Sequence, residues 1–336
     1  MTSPATLSIA QIGVGYWGPN LLRNLAGSKR CQVAAVVDLS EERRAFVRSL
    51  YPAAAVGSDL DAVLADSSVD AVVVATPAAT HFDLVTRALR AGKHVLVEKP
   101  MASSVAEVEA IAVEAEKAGR IAMVGHTFLF NPAVRYLKSL IDSGELGEIR
   151  YIYSQRLNLG RIRSDVDALW NLGPHDVSII QYLLGDPQPV MVTRTGMDFI
   201  QKGVDDVVFL NIEYSGKVLA HVHVSWLDPH KVRCLTVVGS KKMVVYDDVA
   251  EHKIAVYDKG IEPKAVLGER MDYDQSVPTS FIHRSGDVHF PSIAWQEPLK
   301  AEIDHFFDCI EGEAECLTGP KHAAEVVRIL EQGSKR

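Results

Sequence analysis

Ala71-Val72-Val73-Val74-Ala75 is apolar at every position, and His94-Val95-Leu96-Val97 and Ile121-Ala122-Met123-Val124 follow the same pattern. A strand with one wet face alternates. An unbroken apolar run is a strand covered on both faces, the condition met in a parallel sheet with helices on either side. The intervening segments supply those helices: residues 84–91 read as one stopped by Gly92, and Val105–Ala118 as another closed by Gly119. Two earlier runs, Leu7–Ile12 and residues 33–37, flank a helical stretch through Leu21, Leu22 and Leu25. Strand and helix in alternation predict an α/β domain over residues 1–126, built on a doubly wound parallel sheet.

Ligands of such a sheet bind beyond the carboxyl ends of its strands. The first strand runs into Gly13-Val14-Gly15-Tyr16-Trp17-Gly18. Gly13 permits a tight turn, Gly15 lets the backbone approach a pyrophosphate, and Gly18 lets the following helix pack close to the strand. Tyr16 and Trp17 stand in the same loop, and the helix N-terminus offers unpaired amides to phosphates. The second strand ends in Asp38, about 20 residues further on, where a carboxylate hydrogen-bonds ribose hydroxyls and repels a 2′-phosphate. That favours NAD, while Arg43 and Arg44 just beyond leave NADP open. The other tips carry Thr76-Pro77 with Thr80-His81 behind them, then Glu98-Lys99, and then His126. All of these should lie along the cofactor edge.

The tip at Glu98-Lys99-Pro100 is an unusual way to end a buried strand. Proline removes a backbone donor and restricts the residue before it, so the strand stops with Lys99 at its end.

From about residue 127 the pattern changes. A helix over 133–143 ends at Gly144, and a second helix is expected near 177–184. Between and beyond them run long alternating strands, including Val207–Tyr214 and residues 217–226 around a turn at Ser215-Gly216. Further strands fit 234–238 and 243–246. Residues 127–336 therefore read as a C-terminal α+β domain with an open, mostly antiparallel sheet. In the strand 217–226, Val218, Ala220, Val222, Val224 and Trp226 share one face, while Leu219, His221, His223 and Ser225 share the other. The mixed face is available to a second subunit. Helices over 299–311 and 321–332 are expected to return to the first domain.

Trp170-Asn171-Leu172-Gly173-Pro174-His175-Asp176 is expected to open the helix of the second domain, with Gly173-Pro174 as a fixed turn before His175. Oxidising a secondary alcohol needs a base for the hydroxyl proton while hydride leaves carbon. Histidine suits that task with little tuning, and lysine does so when its pKa is lowered. Lys99 and His175 are the candidate pair. The competing reading pairs Lys99 with Glu98 and leaves His175 as a local cap. Arg156, Asn158, Arg161 and Arg163 form a polar group just upstream, read equally as a solvated loop or as a bidentate grip for a diphosphate. His221 and His223 share a strand face, but no neighbouring ligand pattern completes a metal site, so none is assigned.

Composition narrows the class. Apolar residues at 47% and charged residues at 23% match an ordinary globular protein. The net charge of −8 argues against a nucleic-acid partner. No apolar run approaches the roughly 20 residues of a membrane span, and the opening residues lack the marks of a signal peptide. Cys31, Cys234, Cys309 and Cys316 form no CxxC pair and read as free thiols in a cytoplasmic protein.

With the glycine loop, Asp38, the Glu98-Lys99-Pro100 tip and the His175 segment in this order, the chain resembles the Gfo/Idh/MocA oxidoreductase family over nearly its whole length. The resemblance implies a Rossmann domain followed by an open-sheet domain used to form homodimers or homotetramers. It makes Lys99 and His175 the catalytic pair and places Thr76, Pro77 and His81 on the nicotinamide side. The family often has aspartate four residues before the histidine. Asn171 stands there in this chain and is limited to positioning. Arg156-Leu157-Asn158-Leu159-Gly160-Arg161, the Trp170–Asp176 stretch and Ser285-Gly286-Asp287 resemble the branch acting on nucleotide-linked sugars. The expectation is an NAD-dependent dehydrogenase of a nucleotide-activated hexose, acting at C3 and giving a 3-keto sugar. The alternatives are a free polyol or inositol dehydrogenase and a non-catalytic NAD-binding regulator.

Overall fold

The computed structural model describes residues 6–160, 162–263 and 281–334. The first part of the chain runs β1 (Leu7–Ile12), α1 (Gly18–Gly27), β2 (Cys31–Val37), α2 (Glu41–Leu50), β3 (Ala55–Gly57), α3 (Leu60–Ala65), β4 (Ala71–Val74), α4 (His81–Arg90), β5 (His94–Glu98), α5 (Val105–Ala118) and β6 (Ala122–Gly125). The six strands form one parallel sheet in the order β3-β2-β1-β4-β5-β6. The apolar runs behave as their composition requires: every residue of β4, and Val95, Leu96 and Val97 of β5, is buried. Strand order reverses between β1 and β4, the switch point at which an open α/β sheet binds ligands. The short β3 and α3 are absent from the sequence reading. Three and six residues carry too little periodicity to register.

The remaining elements are α6 (Pro132–Asp142), β7 (Ile149–Leu159), α7 (Ala168–Leu184), β8 (Pro189–Met197), β9 (Val207–Tyr214), β10 (Val218–Ser225), β11 (Leu227–Gly239), β12 (Met243–Asp247), β13 (Ile254–Tyr257), β14 (Gly260–Pro263), β15 (Phe281–Arg284), β16 (Val288–His289), α8 (Pro298–Glu311) and α9 (Pro320–Gln332). Eight strands form a second sheet, β16-β13-β12-β11-β7-β10-β9-β8, antiparallel except where β10 pairs with β7. The β9–β10 hairpin turns through Gly216 at φ +75°, a conformation that glycine adopts freely. Val208, Leu210 and Ile212 of β9 and Ala220, Val222 and Val224 of β10 are buried, together with Trp226 just after it. Phe209 and Leu219 are exposed on the opposite face. Ser225 departs from the expected alternation. It is buried where β10 ends, and its hydroxyl accepts from Leu227 N at 3.0 Å.

The chain divides into two compact units. One holds the residues up to Asn131, Val177–Pro187 and those from Trp295 onward; the other holds Pro132–Asp176 and Gln188–Ala294. In the first unit α9 lies against α5 and β6, and α8 lies against α1 and the turn Thr127–Phe130.

One expected boundary is corrected. Gly173-Pro174 does not precede a helix; both residues lie within α7, and His175 sits in its second turn. Asp167 starts that helix, its Oδ1 accepting from Trp170 N at 2.9 Å. The cap and tertiary packing outweigh the usual cost of proline inside a helix.

Candidate cofactor and active site

Gly13 has φ +91°, and a Cβ there would stand 2.5 Å from the carbonyl oxygen of Ala75. A Cβ on Gly18 would lie 2.7 Å from Gly13 O, so the turn and the start of α1 can touch only through glycines. Gly15 differs: a side chain there would enter open space, with Arg43 Nη1 as its nearest neighbour at 3.9 Å. Tyr16 and Trp17 are exposed beside it. No side chain caps the N-terminus of α1. An open cradle facing uncapped helix amides is the form a pyrophosphate fits.

Gln11 was not visible as a site residue in the sequence. It is fully buried, and its Nε2 donates to Gly13 O at 3.0 Å and to Gly18 O at 2.9 Å, stapling both ends of the glycine loop to β1. Asp38 fixes the middle of the loop: its Oδ2 accepts from Val14 N at 2.7 Å and its Oδ1 from Ser40 N at 2.8 Å. Each carboxylate oxygen keeps a further lone pair for a ribose hydroxyl. Arg43 Nη1 lies 3.7 Å from Asp38 Oδ2 and is largely exposed. Arg44 is spent locally on the carbonyls of Asp38 and Leu39 and on Glu41. Of the two arginines, then, Arg43 is the one that faces the carboxylate. Asp38→Ala is expected to raise the KM for NAD by about 10- to 100-fold, the scale of one or two charged hydrogen bonds. It should also narrow the preference for NAD over NADP, both read from initial rates.

At the β4 tip, Thr80 Oγ1 donates to Pro77 O at 2.7 Å, so Thr76 Oγ1 is the donor in its 2.7 Å bond to Thr80. His81, expected on the nicotinamide side, faces two backbone carbonyls. It is buried, with Nδ1 2.7 Å from Pro100 O and Nε2 2.9 Å from Thr76 O. The ring thus lies between the β4 and β5 tips, where a neutral imidazole donates to one of the two carbonyls. Burial holds its pKa below the ordinary histidine value, the two carbonyls oppose that shift, and Lys99 adds to it.

The β5 tip carries Glu98 and Lys99, both half-buried, and the Lys99–Pro100 peptide is cis. Lys99 N donates to Glu98 Oε2 at 3.2 Å. Burial pushes the Glu98 carboxyl up to about 7, against the pull of Lys99 and its amide. Next along the sheet, His126 is buried edge-on to His322 with ring centres 5.2 Å apart. Burial, His322 and Lys99 together keep His126 neutral. Glu302 on α8, also missed in the sequence, is fully buried and accepts from Thr127 Oγ1 at 2.9 Å. Burial and then Glu98 raise its pKa well above the ordinary carboxyl value. The Lys99 charge thus lowers the pKa of Glu98, His81 and His126 together.

The second unit holds the other candidates. His175 is half-buried on α7. Asn171, one turn earlier, accepts from Trp226 Nε1 at 3.2 Å, so its side chain links α7 to the residue after β10. Arg156, read equally as part of a solvated loop or of a diphosphate grip, is not solvated: its Nε donates to Asp176 Oδ2 at 2.6 Å, and both side chains are about 5% exposed or less. Arg163 pairs with Asp165 through Nε and Nη2 at 2.8 and 2.5 Å. Asn158 is half-buried near the end of β7, and Arg161 lies outside the described residues. Gly286 is required by close packing, since a Cβ there would lie 2.0 Å from Asp258 O. On the outer sheet face His221 Nδ1 meets Asn211 Oδ1 at 2.8 Å, and His223 stacks on Phe209 at 4.2 Å. Among the described residues no helix is long and apolar enough to cross a membrane.

A switch-point glycine loop stapled to the first strand and closed by an acid from the second defines a dinucleotide-binding oxidoreductase scaffold. Residues 7–126 match the oxidoreductase family with an NAD-binding Rossmann fold, and residues 134–245 match the GFO/IDH/MocA C-terminal domain. The chain belongs to the Gfo/Idh/MocA oxidoreductase family, and its cofactor is NAD.

Three curated relatives are similar to it. It is 34% identical over 187 residues to 4-carboxy-2-hydroxymuconate-6-semialdehyde dehydrogenase of Sphingobium, covering 53% of this chain and 59% of the relative. It is 34% identical over 229 residues to inositol 2-dehydrogenase 2 of Saccharopolyspora erythraea, covering 65% and 66%. It is 33% identical over 195 residues to UDP-N-acetylglucosamine 3-dehydrogenase of Acidithiobacillus ferrooxidans, covering 58% and 59%. The matched part of the chain thus spans about three fifths to two thirds of these curated relatives. A crystal structure of the Acidithiobacillus protein superposes with a TM-score of 0.81 at 23% identity, over 98% of this chain and 96% of that one, a likeness of fold.

Proposed function

We propose that the protein is an NAD-dependent dehydrogenase oxidising a secondary hydroxyl, at C3, of a nucleotide-activated hexose to the 3-keto sugar. The observation that carries the reading is the row of tips on one sheet, with Asp38 after β2, Gly15 after β1 and Lys99 after β5, on either side of the switch point, in a chain related to a UDP-N-acetylglucosamine 3-dehydrogenase. Bound NAD supplies the hydride acceptor. Lys99 and His175 hold and move the hydroxyl proton, the lysine as ammonium stabilising negative charge on the reacting oxygen. Asn171 exchanges no proton and positions α7 through Trp226.

A second reading, an inositol or polyol dehydrogenase, is favoured by the local pairing of Arg156 and Arg163, which leaves fewer donors open to a diphosphate, and by the inositol dehydrogenase among the relatives. A panel of UDP-sugars, dTDP-sugars, free sugars and inositol, read as NADH absorbance, separates the two. Turnover of inositol without turnover of any nucleotide sugar sinks the first reading.

We also propose that the protein works as a homodimer or homotetramer. Tyr151, Tyr153, Phe209 and Leu219 are all exposed on one face across β7, β9 and β10, interleaved with His221 and His223, and exposed aromatic and aliphatic side chains grouped on one sheet face are suited to an interface. Light scattering is expected to give a multiple of the 36.8 kDa chain mass, and Leu219→Asp to shift it toward the monomer. A monomeric mass for the unaltered chain would refute this.

A further inference from the structure

We propose that Arg194 is a positioning residue: through Asp167 it locks the first turns of α7, which present Asn171 and His175. The inference rests on the reading of His175 as a proton-handling residue. On β8, Val192, Arg194 and Gly196 stand opposite Ile212, Leu210 and Val208 of β9, all three of them buried. Opposite residues of an antiparallel pair share a face, so Arg194 lies on the inner one. A charge there is costly unless it is paired, and Arg194 finds two carboxylates. Its Nη2 donates to Asp167 Oδ2 at 2.7 Å and also to Asp205 Oδ2. Arg194 and Asp205 are only 7% and 5% exposed, so water does little to screen the pair. Gly196 leaves the room, since a Cβ there would overlap the Asp205 carboxylate.

Both acidic residues act on the start of α7. Asp167 Oδ1 accepts from Trp170 N at 2.9 Å and its carbonyl from Asn171 N at 3.1 Å, while Asp205 O accepts from Ala168 N at 2.9 Å. One cation faces two anions, and the negative charge left over falls at the positive end of the helix. The helix needs this support. Gly173 and Pro174 are the two residue types that weaken a helix interior most, and Pro174 has no amide to offer Trp170 O. His175 is the first residue past that weak point with an amide, whose α-helical acceptor is Asn171 O. Asn171 in turn is held from the side: its Oδ1 accepts from Trp226 Nε1 at 3.2 Å, and Trp226 N bonds to Asp206 O at 3.0 Å. Arg194 therefore ties one sheet edge to the helix start, and Asn171 passes that restraint on to His175.

Arg194→Met would leave two buried carboxylates side by side and endanger the fold, so the test uses Asp167→Asn in the full chain. That variant keeps the cap oxygen and the Arg194–Asp205 pair but turns an amide donor toward the guanidinium. Hydrogen exchange of the peptide over residues 167–176 should speed up about 10- to 100-fold, the factor that one charged hydrogen bond is worth. With UDP-N-acetylglucosamine or inositol as substrate, kcat should fall about 10- to 100-fold, the scale of a misplaced reacting group, while the KM for NAD stays as it was. A loss of stability alone, with kcat unchanged, would make the arginine merely structural and overturn the inference, as would unchanged exchange over 167–176. His175→Ala is the control. If it is inactive, either of those results counts against Arg194 only; if it keeps full turnover, the reading of His175 falls and takes the inference with it.

Discussion

Lys99→Ala is expected to cut kcat by about 100- to 10,000-fold, the range supplied by a positioned acid or base, while NAD still binds. The two effects separate if, as proposed, the glycine loop and Asp38 hold the dinucleotide, since Lys99 stands at the β5 tip beside Glu98. Isothermal titration with NAD and initial rates on the best substrate read the two quantities independently. Unchanged turnover would remove the lysine from the chemistry and favour a non-catalytic NAD-binding protein. Lost NAD binding would mean that the tip itself has collapsed. Lys99→Arg is the companion variant: it keeps the positive charge but cannot act as a base near neutral pH.

Arg156→Ala should destabilise the protein by about 3–5 kcal/mol, because it strands Asp176 as an unpaired buried charge. The pair is nearly inaccessible to solvent, and its 2.6 Å bond joins β7 to α7 next to His175. Replacing both partners by apolar residues, as in Arg156→Met with Asp176→Leu, should recover most of that loss, since the cost lies in the unpaired charge rather than in the absent bond. Urea unfolding of the two variants makes the comparison. If the single variant unfolds like the unaltered protein and instead raises the KM of a nucleotide sugar alone, Arg156 is a phosphate ligand after all.

Much of the first sheet was legible in the sequence because burial on both faces leaves no polar position in the strand, as in β4 and in Val95–Val97 of β5. The glycine loop and Asp38 were legible because a tight turn, a close approach and a ribose partner each demand a residue type at a set place. What escaped was polar and non-local. Gln11 looks like a stray polar residue in an apolar strand, and nothing nearby in sequence says that its amide spans the loop. The burial of His81 between two backbone carbonyls, one at its own strand tip and one at the next, is likewise not written in the local sequence. Arg156 finds its carboxylate 20 residues away. The course of α7 was partly recoverable: Asp167, three residues before Trp170, is a cap signal, but Gly173-Pro174 outweighed it in a reading based on propensity.

The staple made by Gln11 bears on how the cofactor is met. A glycine-rich turn left to itself samples many shapes, and a ligand must select one and forfeit the rest. Here both ends of the turn are bonded to a side chain belonging to the sheet core, and its middle to Asp38. The mould is cast during folding, before any dinucleotide arrives. NAD capture should therefore proceed as docking to a standing surface, fast and with little rearrangement, and a Gln11→Leu chain should slow or weaken that encounter without altering a single group that touches the cofactor.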